Sequence, residues 1–101
     1  MRMSISQPDT IHVVFEESNQ QAAAYDDDKR IGECQYSSAG TSEWIISHTG
    51  VRPEYNGRGI AKKLVEKVIE EARKRGVKIS PLCSYAKHMM YGNDEYKDVL
   101  Q

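Results

Sequence analysis

At 101 residues the chain has room for one domain and a modest core, and none for a separate substrate domain. Formal net charge is −1, with 39% hydrophobic and 29% charged residues, so no global basic field exists to recruit nucleic acid or an anionic membrane. No apolar run approaches the ~20 residues of a bilayer span, and Met1 to Pro8 lack the apolar stretch of a secretory signal, so a cytoplasmic protein is expected.

Residues 1–10 are polar and predict a frayed tail ahead of a domain over residues 11–101. Ile11 to Glu16 is β-rich and reads as a first or edge strand, broken by Glu17 to Gln20. Gln21 to Tyr25 is too short for a stable helix despite its alanines and is assigned to a strand; Asp26 to Lys29 then forms a polar turn. A charged hairpin uses Asp26, Asp27 and Asp28 more naturally than a hard cation does. Ile31 to Tyr36 alternates as a half-buried strand, with Ile31, Glu33 and Gln35 on one face and Gly32, Cys34 and Tyr36 on the other. Ser37 to Ser42 is expected to turn. Glu43 to Val51 is the strongest strand, apolar enough for a central place buried on both faces, and Pro53 ends it by Arg52.

An amphipathic helix is predicted over 58–75. Ile60, Ala61, Leu64, Val65, Val68, Ile69 and Ala72 form one apolar stripe, and Glu70–Lys74 and Glu71–Arg75 are favourable i,i+4 pairs on the wet side. Gly76 is placed to close the helix, with Val77 folding back as its hydrophobic contact. Val77 to Ser80 makes the next strand, stopped by Pro81; a crossover helix of this length makes it parallel to Glu43–Val51. Ser84 is placed to cap a short last helix, Tyr85 to Tyr91, and Tyr96, Val99 and Leu100 of the tail can pack back. The fold class is α/β, built on a βαβ unit.

Chemistry concentrates where that helix begins. The first four N–H groups of a helix lack intrahelical partners and carry about half a positive charge. Gly57 and Gly59 leave them accessible, Ala61 is small, and Arg58 adds a cation, which suits a diphosphate. Asn56-Gly57 as a plain turn and Gly59 as a packing accommodation is the competing reading. No third glycine or distal acid supports a dinucleotide fold, and no Gly-Lys-Ser/Thr supports a P-loop. Cys34 and Cys83, with three scattered histidines, give no metal-ligand spacing, so no structural metal is expected and the thiols are read as free.

The run Val51-Arg52-Pro53-Glu54-Tyr55-Asn56-Gly57-Arg58-Gly59-Ile60-Ala61-Lys62-Lys63-Leu64-Val65 resembles motif A of the Gcn5-related N-acetyltransferases (GNAT). With His48-Thr49-x-Val51 before it and Pro81-x-Cys83-Ser84-Tyr85 after, the chain from about Gln21 onward is similar to their smallest, YjdJ-type bacterial branch. The resemblance implies a minimal fold with a mixed, mostly antiparallel sheet whose central parallel strands splay apart to admit acetyl-CoA. It places the cofactor's pyrophosphate on the amides of Gly57, Arg58, Gly59, Ile60 and Ala61, and its pantetheine beside Thr49, Gly50 and Val51. Asn56 stands where the family usually carries Arg or Gln, and it reaches less far. No segment corresponds to the upstream helices that shape the amine site in longer relatives, so the acceptor stays open.

The resemblance also makes Cys83 a candidate nucleophile or acetyl carrier, activated by the helix N-terminus at Ser84 and Tyr85; a buried, inert cysteine is the alternative. His48 is a possible general base, although a strand histidine satisfying a core hydrogen bond is the commoner use. Tyr85 can stack on the cofactor or simply pack. His12 and His88 read as surface residues, Cys34 and Met89-Met90 as core. The expected function is acetyl transfer from acetyl-CoA to a primary amine by a monomer or weak dimer, without nucleic-acid or membrane partners. The rival is a non-catalytic CoA-binding module.

Overall fold

The computed structural model describes residues 10–101; the expected tail at 1–10 lies, apart from Thr10, outside the described residues. Five strands form one sheet in sequence order: β1 (Ile11–Glu16), β2 (Gln21–Asp26), β3 (Lys29–Ala39), β4 (Glu43–Val51) and β5 (Lys78–Pro81). The first four are an antiparallel meander, and β5 joins β4 in parallel after a crossover through helix α1 (Ile60–Arg75). A short helix α2 (Ser84–Met90) follows β5. This is the mixed, mostly antiparallel α/β architecture expected. No described helix is long and apolar enough to cross a membrane.

The alanines of β2 are the clearest case of context overriding propensity. Ala22, Ala23 and Ala24 are fully buried between β1 and β3, and Ala22 and Ala24, on the core face, are small enough to let α1 approach the sheet. Asp27, at φ 56°, makes the tight hairpin that the acidic run suggested. β3 outruns its expected end by three residues, because Ser37, Ser38 and Ala39 pair with Ile45, Trp44 and Glu43; the turn shrinks to Gly40–Ser42.

Two bulges re-aim side chains. Against Ala24 and Tyr25, β3 carries one extra residue, Ile31, since Ala24 faces Gly32 and Tyr25 faces Arg30. Ile31 therefore enters the core with Gly32 and Cys34, not the face of Glu33 and Gln35 that simple alternation assigned. On β4 the extra residue is Ser47, because Gln35 faces His48 and Tyr36 faces Ile46. Trp44 and Ile46 are buried, while Ser47 and His48 both lie exposed. β4 is central in its pairing but not buried on both faces; beyond the bulge His48 is exposed, while Thr49 and Val51 are half-buried toward the core.

Leu64, Val65, Val68, Ile69 and Ala72 of α1 are all within 1% of full burial against this sheet, which verifies the apolar stripe. The helix starts at Ile60 rather than residue 58, because Gly59 takes the left-handed conformation at φ 75° and is its N-cap. Gly76, at φ 67°, ends it as expected, and the Val77 amide folds back to the Ala72 carbonyl at 2.9 Å. Of the surface pairs, Glu71–Arg75 forms at 3.5 Å; Glu70 instead meets Lys67, and Lys74 meets Glu71, each at 3.4 Å. Arg75 also forks onto Glu17 and lies over Phe15 and Trp44, which ties the helix end to β1. The C-terminal segment packs back through Tyr96 and Val99, and Arg73 clamps Asp98 through two 2.9 Å bonds. Pro81 is the last residue of β5 rather than the residue beyond it, and Cys83, not Ser84, is the N-cap of α2.

One polar clamp links the sheet to the segment that follows β4. The Asp26 carboxylate accepts hydrogen bonds from the Thr10 hydroxyl and the Tyr55 phenol, and these hold it below the ordinary carboxylate value. A depressed carboxylate contributes stability above its unfolded pKa, about 3.9, and loses it as pH falls through the lower folded value. Thermal unfolding between pH 6 and 2 should therefore show a steeper acid decline in the native chain than in Asp26→Asn. Superimposable acid limbs would remove Asp26 from the account.

Candidate functional site

The parallel pairing of β4 with β5 covers only Glu43–Ile46 against Lys78–Pro81. Beyond it the amides of Leu82 and Cys83 both donate to the Ile46 carbonyl, at 2.9 and 3.2 Å, and the chain turns away into α2. β4 runs on from Ser47 to Val51 with no described strand on that side. A strand edge with free N–H and C=O groups is a template for an extended partner. The expected splay between the parallel strands is thus present, and its physical cause is Pro81 followed by a helix start.

At the open end of this wedge lies the start of α1. The turn from β4 passes through a 3-10 segment, Pro53–Tyr55, and reaches Gly57 at φ 84° and Gly59 at φ 75°, a range that non-glycine residues enter at a cost. No side chain caps the helix, no acidic residue stands in its first turn, and the first backbone bond to the cap is from Lys63 to the Gly59 carbonyl at 3.2 Å. Among the described residues the amides of Ile60, Ala61 and Lys62 have no protein acceptor. They open beside a cavity of about 200 Å³ lined by Val51, Asn56, Gly57, Gly59, Ile60, Ala61 and Tyr85, together with Tyr55. A Cβ added at Gly57 or Gly59 would meet no protein atom within 4 Å, so the backbone conformation, not crowding, requires glycine at both.

The remaining expected residues distribute around this cavity. Arg58 stands over the Tyr55 ring, 5.2 Å from its centroid, and borders a neighbouring cavity with Ile11, Val13 and Lys63. Thr49 faces inward opposite Cys34 and bridges the two cysteines: its Oγ1 lies 3.5 Å from the Cys34 Sγ and 3.4 Å from the Cys83 Sγ. Cys34 is fully buried, and burial pushes its thiol up to about 12, which makes it inert core. Cys83 is half-buried, and its Sγ accepts the Ala86 amide at 3.3 Å. Ser84 opens α2.

His48 is not the core histidine that strand placement suggested. The Ser47 bulge sets it on the outer face with 53% of its side chain exposed, where its Nε2 meets Glu33 Oε2 at 2.9 Å. This pair lies over Gly50: a Cβ there would come within 3.0 Å of His48 Nε2 and 3.2 Å of Glu33 Oε2. Both border a second cavity of about 350 Å³, and Val51 lines this one and the cavity at the helix mouth alike. His48 and Cys83 therefore lie on opposite faces of β4 and form no Cys–His pair.

Sequence reasoning missed three participants: Tyr55, held by Asp26 at the cavity wall; Glu33, the partner of His48; and Thr49 as a bridge between thiols. Tyr55 sat within the glycine-bearing run and could have been marked there. The other two depend on register between strands, which no local spacing displays. Among the described residues no group of three or more potential metal ligands converges.

A model of the family described as GCN5-related N-acetyl-transferase matches residues 21–99. The solution structure of a GCN5-like protein from Staphylococcus aureus superimposes with a TM-score of 0.71 at 35% identity, over 89% of this chain and 87% of that one. The GNAT family N-acetyltransferase YhbS of Escherichia coli, solved in complex with CoA, gives 0.61 at 22% identity over 71% of this chain and 44% of its own. N-acetylglutamate synthase of Neisseria gonorrhoeae, solved with coenzyme A and N-acetyl-glutamate, gives 0.61 at 17% identity, over 72% of this chain and 18% of its own. These two larger proteins share the fold, and this chain spans less than half of either. No curated protein matches the chain.

Proposed function

The chain belongs to the GCN5-related N-acetyltransferase family, and from that premise we propose that it binds acetyl-CoA in the wedge between β4 and β5, with its diphosphate at the start of α1, and transfers the acetyl group to a primary amine. The observation that carries this is the uncapped start of α1, whose free amides border a cavity continuous with the unpaired edge of β4. The residues fit the cofactor. Backbone donors at Gly59, Ile60 and Ala61 suit a diphosphate, no acid in the first turn repels it, and the free edge of Thr49, Gly50 and Val51 suits the amides of a pantetheine arm. Asn56, Gly57, Arg58, Ser84 and Tyr85 complete the proposed contacts. When bound, acetyl-CoA supplies an acetyl thioester.

An amine reaches the site as an ammonium and must lose a proton before its nitrogen can attack. His48 is proposed to take it. Glu33 holds the imidazole by Nε2, which leaves the Nδ1 lone pair as the proton acceptor. Cys83 lines the inner end of the wedge; having no imidazole beside it, it is proposed to assist by shaping that end rather than by carrying the acetyl group. Residues 11–101 are proposed to work as one unit, acting in the cytoplasm as a monomer or weak dimer. The run Pro81-x-Cys83-Ser84-Tyr85 supports a place in the YjdJ-type branch.

An amide chemical-shift titration with acetyl-CoA, paired with turnover on a panel of amines, tests this reading. Shifts should centre on residues 57–61, and His48→Gln should lower kcat about a hundredfold while leaving those shifts in place. Cys83→Ser should retain most turnover. Native turnover in His48→Gln would dismiss the proposed base, and binding with zero turnover on every amine would leave the non-catalytic CoA module.

A further inference from the structure

We propose that the acceptor amine carries an acidic group, held by Arg30 and Arg52 while its ammonium sits at Glu33 and His48. The proposal rests on the acetyltransfer reading and assigns the outer cavity as its acceptor site. That cavity, about 350 Å³, falls at the lower end of the ~300–1,000 Å³ usual for small-molecule sites. Ile31, whose side chain is in the core, Val51 and Gly50 complete its lining, and every charged or titratable side chain on it is one of four: Arg30, Arg52, Glu33 and His48.

The arrangement of charge selects the ligand. Arg30 has no ion-pair partner within 4 Å among the described residues, and Arg52 meets only Glu54, at 3.5 Å, where both side chains are more than half exposed. Two guanidiniums therefore border the cavity with one lining carboxylate, that of Glu33, which is 24% exposed and bonded to His48 through one oxygen; Glu54 at Arg52 and Glu16, which feels the charge of Arg30, lie outside its lining. Its second oxygen accepts from no described residue and is free for an ammonium. A guanidinium pairs with a carboxylate or a phosphate through two parallel bonds, and is most effective where the anion has no other partner. A polyamine would be repelled by two arginines for each carboxylate it gained.

Position supports the same assignment. Val51 walls both cavities, so a ligand in the outer one and an acetyl donor along the free edge of β4 meet at that strand. The Ser47 bulge places His48 on the outer side, facing this ligand. A Cβ at Gly50 would crowd the His48–Glu33 pair, at 3.0 and 3.2 Å, so the bare floor leaves these two side chains their room.

The probes are L-glutamate and O-phosphoethanolamine as acidic amines, with ethanolamine and spermidine as amines lacking an acid. Each is titrated into the full chain, with and without acetyl-CoA, and read by amide shifts at 30–33 and 48–52. One or both acidic amines should shift these amides, and whichever does so more strongly distinguishes carboxylate from phosphate. The double variant Arg30→Gln/Arg52→Gln should weaken that binding about tenfold or more and leave acetyl-CoA shifts at 57–61 unchanged. Equal or tighter binding of ethanolamine or spermidine would overturn the proposal, as would native affinity for the acidic amines in the double variant. No response at the outer cavity with acetyl-CoA binding intact overturns the acceptor assignment alone; absence of the acetyl-CoA shifts overturns the underlying reading.

Discussion

Gly59→Glu is expected to weaken acetyl-CoA binding by about a hundredfold, or some 3 kcal/mol, while the protein still folds. The site offers a diphosphate backbone donors, the partial charge of the helix start and one cation, Arg58, so a carboxylate placed among the donors opposes most of the attraction. The fold survives because a Cβ at Gly59 meets nothing within 4 Å beyond its chain neighbours, and the rest of the side chain starts into open space. The φ of 75° is a separate cost, about 1–2 kcal/mol for a residue with a Cβ, and it lowers the melting temperature whatever the charge. Gly59→Gln carries that strain without the charge, and Gly59→Asn tolerates the conformation. Isothermal titration of all three separates the causes. The order of affinity should be native, then Asn, then Gln, with Glu far below. Equal losses in Gln and Glu would assign the effect to strain, and an unaffected Glu variant would put the diphosphate elsewhere.

What was legible in the sequence was whatever is encoded locally. The stripe from Ile60 to Ala72, the stop at Gly76 and the glycine-bearing turn are read from neighbours along the chain, and each appears in place. The first strand agrees to the residue for the same reason. The parallel pairing of β5 with β4 was also read, from the length of the crossover, but what depends on register within a pairing was not. The bulges at Ile31 and Ser47 arise from a mismatch between two strands, and each moves the side chains beyond it to the other face. That is why Ile31 was put on the wrong side of β3, and why His48 looked like core when it is exposed beside Glu33. The cofactor end of the proposed site was visible because it is one continuous run. The outer cavity was not, because Arg30 and Glu33 come from β3, whereas His48 comes from β4 and Arg52 from just beyond its end.

The same coupling between strands gives the second large effect, at Leu64. This side chain is fully buried, and its removal should cost about 2–5 kcal/mol and lower the melting temperature by roughly 10 °C or more. Leu64 also fills space next to Gly32: a Cβ on Gly32 would come 3.2 Å from Leu64 Cδ1, 3.0 Å from the Gly50 carbonyl and 3.3 Å from Val51 Cγ2. Packing of α1 thus bears directly on the two β4 residues that separate the cavities. Gly32→Ala alone should destabilise, because the Gly50 carbonyl is backbone and yields only if β4 shifts. In a Leu64→Ala background one of the three close contacts is gone, so the added methyl should cost less, by about 0.5–1 kcal/mol. Rescue stays partial because the carbonyl contact remains. Chemical denaturation of the two single variants and the double variant measures this coupling. Strictly additive losses would mean that Leu64 and Gly32 do not share the contact, and that helix packing leaves the wall at Gly50 and Val51 untouched.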